Sequence, residues 1–221
     1  MTQEEDHSLT DIICPNCSFD IQAEITTTIR PADQALQELF AGTLNQIICD
    51  QCAKEFLFET SLVFKNQEGS FFIFFNAAIA ELGWEKAEEQ MQLALNASLT
   101  ELEVDDRPEC RLTLTRNEFI EKIAIHLADL DDKFMEYLKY HIFSQEALDR
   151  NKYNLLYDFS RSDNQIIEFS VIDKETGEIR HNTQTPHEML EQIKNQLESD
   201  DCPVDIDEVF SGLYVQIQRL K

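Results

Sequence analysis

Four of the chain's six cysteines stand in two Cys-x-x-Cys pairs, Cys14 with Cys17 and Cys49 with Cys52, with thirty-one residues between the pairs. A tight turn inside such a pair points both sulfurs to one side, so two pairs supply the four soft donors of a tetrahedral zinc site. The chain must then fold so that positions 14–17 and 49–52 meet. An iron centre or two redox dithiols are the other uses of four thiols, but a redox pair calls for a thioredoxin-like βαβ setting that the flanking pattern does not supply. With all four thiols bound no coordination position stays open, so the expectation is one structural Zn2+ held by Cys14, Cys17, Cys49 and Cys52. The residue after each pair, often glycine because the turn needs positive φ, is Ser18 or Ala53, which predicts knuckles under some strain. Pro15 fixes φ inside the first knuckle, where the second has Asp50 and Gln51. Cys110 and Cys202 have no thiol or histidine at ligand spacing and read as incidental; six cysteines are too few for a disulfide scaffold.

The surrounding pattern predicts an α+β fold of zinc-ribbon-like β hairpins with helices, followed by a smaller α+β C-terminal region. Phe19, Ile21, Ala23, Ile25 and Ile29 share one parity, the period of a half-buried strand leaving the first knuckle. Residues 32–41 read as a short helix with Ala35, Leu36, Leu39 and Phe40 on one face and Gly42 to stop it, and a strand from Thr43 returns to Cys49. Phe56 to Phe64 and Phe71 to Phe75 read as strands about the turn Asn66 to Gly69, the second apolar on both faces. A helix over 84–96 carries Ala87, Met91 and Leu95, an acidic connection spans Glu101 to Glu109, and a strand covers Cys110 to Leu114. Thr115 and Glu118 form a capping box for a helix bearing Phe119, Ile123 and Leu127, and Phe134, Leu138 and Ile142 carry the spacing through a second helix, as a hairpin or one bent helix. Strands return from Tyr153, through Ile166–Ile172 and Ile179–Thr183. Thr185-Pro186-His187-Glu188 then gives N-cap, first-turn proline and capping acid for a helix with Leu190, Ile193 and Leu197. Val209 to Leu220 is apolar enough to dock as helix or strand.

The "CPNC" and "CDQC" pairs, with the strands "FLFETSLVFKNQEGSFFIFF" after the second, resemble the prokaryotic CpXC domain. The block "RLTLTRNEFIEKIAIHLADLDDKFMEYLKYHIF", residues 111–143, is similar to that family's downstream strand, "EKI" helix and acidic helix start. The resemblance spans about residues 11–145 and implies the four paired cysteines as metal ligands. It implies a domain and no reaction. The expected organisation is an acidic tail over 1–10, a zinc-binding domain over 11–145 and a C-terminal α+β region over 146–221.

Charge restricts function. The chain holds 43 acidic and 18 basic residues, a formal net charge of −25. The imbalance falls mostly on residues 1–110, net −16, against −9 over 111–221. Such a field opposes direct nucleic-acid binding and favours a solvating coat or a protein partner with a basic surface. No apolar run approaches the length of a membrane span, and Glu4, Glu5 and Asp6 replace the basic start of a signal peptide, so a cytoplasmic protein is expected. Asp129, Asp131 and Asp132 suggest a cation site but read more simply as an acidic helix start. Glu121, Lys122, His126 and Asp129 lie at helical spacing without a recognisable catalytic motif, and His141 and His187 lack a nucleophile. Phe71, Phe72, Phe74 and Phe75 lack the interleaved cations of a base-stacking strand. The reading is a non-enzymatic adaptor or regulatory subunit docking a basic protein, for example a DNA-binding or transcription factor; the alternative is an enzyme or thiol redox protein whose site is assembled from distant residues.

Overall fold

A computed structural model describes residues 7–100, 103, 106–199 and 202–220. The fold is α+β, and the chain divides into two compact units, Met1–Arg116 and Asn117–Lys221.

In the first unit, β1 (His7–Ile13) and β2 (Asp20–Thr26) form an antiparallel ribbon. Its inner face follows the period-two pattern: Ile12 lies opposite Ile21, and Ile21 and Ile25 are buried. Phe19 falls outside the strand and is exposed. A two-residue strand β3 (Thr28–Ile29) leads to α1 (Gln34–Ala41), which buries Ala35, Leu36 and Leu39. Gly42 ends that helix at φ 74°, a conformation that costs glycine little. β4 (Gln46–Ile48) and β5 (Glu55–Leu57) make a second antiparallel hairpin.

The expected single strand from Phe56 to Phe64 is two strands in two sheets. β5 stops at Leu57, and β6 (Leu62–Lys65) begins in a four-stranded sheet of order β3-β6-β7-β8. The cause is tertiary. The first half pairs with β4, Phe58 donates its N–H to the Asn45 carbonyl at 3.0 Å, and the second half pairs with β3 and β7 (Phe71–Phe75). The turn between β6 and β7 is held by Asn66, whose side-chain oxygen accepts the N–H groups of Ser70 (2.9 Å) and Phe71 (3.0 Å), and Gly69 supplies φ 71°. β7 is covered unequally: Ile73 and Phe75 are buried, while Phe71, Phe72 and Phe74 are half-buried. α2 (Trp84–Ser98) carries the chain across to β8 (Glu109–Thr113), parallel to β7, and buries Ala87.

In the second unit, α3 (Arg116–Leu127) and α4 (Asp132–Gln145) are separate helices, joined by a turn in which Asp129 takes φ 57°. β9 (Tyr153–Tyr157), β10 (Ile166–Asp173) and β11 (Ile179–Pro186) form an antiparallel sheet with β10 central. Phe134, Leu138 and Ile142 of α4 share one apolar core with Leu155, Ile167, Phe169 and Val171. Residues 117–145, which the sequence groups with the cysteine-bearing region, are thus compact with the C-terminal strands.

The capping expectation at 185–188 is corrected. Thr185 and Pro186 belong to β11, opposite Ile167 and Ile166, and α5 (His187–Leu197) starts one residue later with Pro186 at the N-cap and no capping side chain. The sheet ladder holds Thr185 extended and buried, and the His187 N–H goes to the Gln165 carbonyl at 2.7 Å. Nor is the Val209–Leu220 stretch a helix or a strand throughout. After α6 (Ile206–Val209) it runs irregularly, burying Phe210, Tyr214 and Val215, and ends in a 3-10 turn, Ile217–Arg219. Among the described residues, no helix is long and apolar enough to cross a membrane.

Candidate metal centre

Each cysteine pair is the tip of a hairpin in the first unit, and the two tips have the same construction. β1 ends at Ile13 and β2 starts at Asp20; β4 ends at Ile48 and β5 starts at Glu55. In the first tip Cys14 N–H donates to the Phe19 carbonyl (2.9 Å) and Ser18 N–H to the Cys14 carbonyl (3.0 Å). In the second, Cys49 N–H donates to the Lys54 carbonyl (2.9 Å) and Ala53 N–H to the Cys49 carbonyl (2.8 Å). Closing this turn requires a left-handed residue after the second cysteine, and Ser18 and Ala53 sit there at φ 58° and 54°. Each pays for a Cβ in that region, on the order of 1 kcal/mol. Ala53→Gly is therefore expected to raise the melting temperature of the metal-loaded chain by about 2–4 °C; a lower melting temperature would show that the turn is not strained.

The four sulfurs lie within 4.8 Å of one another. Cys14 Sγ is 3.7 Å from Cys52 Sγ, and Cys17 Sγ is 3.6 Å from Cys49 Sγ. A tetrahedron with metal–sulfur arms of about 2.3 Å has edges of about 3.8 Å, so the donor set fits one tetrahedral ion. Cys14 and Cys49 are buried, Cys52 is half-buried and Cys17 is exposed. Behind them Ile12, Ile21, Ile25 and Ile47 form a small apolar cluster with Phe56 and Phe58 against it.

Hydrogen-bond donors surround the sulfurs. The Asn16 side-chain amide donates to Cys52 Sγ at 3.5 Å, and the Lys54 backbone N–H supports it; together they pull the Cys52 thiol down to about 6. The Phe19 N–H acts on Cys17 in the same direction, but desolvation and the three neighbouring thiols outweigh it and push Cys17 up to about 12. Four thiols this close cannot all ionise without a cation among them, and a divalent ion removes that conflict. Asn16 is the residue sequence reading missed; nothing in its type marks a variable knuckle position as a sulfur donor.

The other candidates have structural work. Asp131 caps α4, accepting the Lys133 N–H at 2.8 Å, and Asp132 pairs with Lys122 at 3.1 Å. Glu121 and Lys122 are buried, Asp129 is exposed and His126 half-buried, so the four do not converge on solvent as an acid–base group. His141 Nε2 lies 2.7 Å from Gln145 Nε2. Cys110 is buried, which pushes its thiol up to about 11, and Cys202 packs half-buried on the second unit's core.

Two hairpin tips presenting four thiols to one point define a knuckle-type site able to hold a metal ion. The family model described as CpXC protein matches residues 10–139, more than half of the chain. The chain belongs to the CpXC family, and the match takes in both knuckles, α3 and half of α4. No curated protein and no solved structure matches it.

Proposed function

We propose that the chain is a zinc-stabilised, acidic protein-binding adaptor or regulatory subunit of the cytoplasm that docks a partner with a basic surface, such as a DNA-binding or transcription factor. Zinc is the ion that soft thiolate donors in a closed tetrahedral set select, and the four ligands are Cys14, Cys17, Cys49 and Cys52. The observation that carries the partner reading is the charge imbalance. Residues 1–110 hold 21 acidic and 5 basic residues, and four thiolates with one divalent ion add a further −2. Two of the first unit's cations are engaged internally, Arg30 with Asp33 at 3.9 Å and Arg116 with Glu59 at 3.2 Å, so they do not offset the remaining carboxylates.

Affinity purification from the native cell identifies the partner, and stopped-flow mixing tests the reading. Association is expected to fall several-fold between low and physiological salt, where fields are screened beyond about 8–10 Å, with a smaller change in dissociation. Charge reversal at Glu103 and Asp106, both exposed, is expected to slow association further; Glu101 and Asp105, of the same acidic connection, lie outside the described residues. Salt-independent association that ignores these reversals would reduce the acidity to a solvating coat.

A further inference from the structure

The outer face of the β1–β2 ribbon departs from what an ordinary half-buried strand pair shows to water. Directly opposed residues of an antiparallel pair share a face. The register Leu9↔Glu24, Asp11↔Gln22 and Ile13↔Asp20 therefore collects these six residues on the side away from Ile12 and Ile21. All six are exposed, and two of them are large aliphatics, Leu9 at 69% and Ile13 at 66%. Period-two patterning puts polar residues at such positions, so two outward aliphatics on one strand are a departure that folding of the ribbon does not need.

The polar residues of this face are one-signed. Asp11, Asp20 and Glu24 supply three carboxylates, Gln22 donates to Asp11 at 3.1 Å, and no lysine or arginine occurs between residues 7 and 29. We propose that this face, Leu9, Asp11, Ile13, Asp20, Gln22 and Glu24, is the docking surface for a basic segment of a partner protein that carries aliphatic side chains between its cations. The inference rests on the adaptor reading above and specifies where on the chain the basic partner sits. Charge complementarity selects the occupant. A second copy would bring six carboxylates together without a counter-ion, and nucleic acid or an anionic lipid surface carries the same sign. A cationic segment with aliphatic side chains meets both the carboxylates and the aliphatics, since positions 9, 11 and 13 of this face run aliphatic, carboxylate, aliphatic at about 7 Å intervals along β1.

The test uses the full zinc-loaded chain, isotopically labelled, and a short synthetic lysine–valine peptide of repeated Val-Ser-Lys-Ser, which when extended sets valine and lysine alternately on one face, with a lysine–serine peptide, serine replacing each valine, as control. Amide shifts are expected to centre on residues 9–13 and 20–24. The double variant Leu9→Ser with Ile13→Ser, altering only exposed side chains, is expected to keep its zinc and its fold and to bind the lysine–valine peptide about tenfold more weakly or worse. The lysine–serine peptide is expected to bind with a similar loss and to show no difference between the two proteins. Shifts centred elsewhere, or equal affinity for the double variant, would overturn this surface while leaving the adaptor reading standing. So would a failure of the lysine–valine peptide to bind. Salt-independent association of the native partner would instead overturn the adaptor reading itself.

Discussion

Changing Cys49 to serine, or treating the chain with a chelator, is expected to abolish amide-exchange protection across residues 7–57. The reason is the size of what stands behind the site. Its apolar cluster has six buried members, Ile12, Cys14, Ile21, Ile25, Ile47 and Cys49, and two of them belong to the proposed ligand set. The hairpins it joins are two-stranded, and β4 and β5 have three residues each, below what an isolated hairpin needs to persist in water. Structural zinc contributes on the order of 10 kcal/mol to folds of this kind, more than the remaining contacts can replace. The core of the second unit is built from α3, α4, β9, β10 and α5, and protection there is expected to persist. A Cys49→Ser variant with native protection over 7–57 would contradict the account.

A second large effect is expected at Lys139, in a group of charges buried in the second unit. Lys139 Nζ lies 2.7 Å from Glu121 Oε2 and 2.9 Å from Glu136 Oε1, and Lys122 Nζ lies 3.1 Å from both Glu136 Oε1 and Asp132 Oδ2. Lys122, Lys139, Glu121 and Glu136 are all 2% exposed or less. The remaining carboxylate oxygens serve the backbone: Glu121 Oε1 accepts the Tyr157 N–H at 2.6 Å, and Glu136 Oε2 accepts the Ile217 N–H at 2.9 Å. The group thereby ties both helices to β9 and to the irregular C-terminal segment. Burial works to keep each carboxyl neutral. At Glu136 the Lys122 and Lys139 ammonium groups outweigh it and hold the carboxyl below the usual range, whereas at Glu121 burial prevails and pushes the carboxyl up. Lys139→Met strands the Glu121 carboxylate and leaves Glu136 with Lys122 alone, and is expected to cost the second unit about 3–5 kcal/mol, read as a lowered denaturant midpoint. Adding Glu121→Leu to Lys139→Met removes the stranded charge and is expected to recover part of the loss. A Lys139→Met variant as stable as the parent would show that the group is not closed to water.

The parts legible in the sequence are those whose cause is local. The cysteine pairs declare themselves by spacing, the inner face of β2 by its period, and the end of α1 by Gly42, because knuckle, pleat and helix stop are each decided within a few residues. The break inside Phe56–Phe64 is not local: the residues on either side of it are alike, and only their pairing with β4 or with β3 and β7 separates them. Thr185-Pro186 is a sound capping signal that loses to the β10 ladder. Nothing local marks Glu121, Lys122, Glu136 and Lys139 as buried, since the N–H groups that engage the two carboxylates, those of Tyr157 and Ile217, lie far along the chain. Asn16 stayed invisible for the same reason, because its role depends on a sulfur thirty-six residues away.

The central claim is that one ion closes the four-thiol site. Metal analysis of the chain purified under reducing conditions, combined with X-ray absorption at the zinc edge, tests it directly. The account predicts about one zinc per chain with four sulfur neighbours at about 2.3 Å and no lighter ligand. A chain without metal whose four thiols titrate freely, or zinc with fewer than four sulfur neighbours, would contradict it.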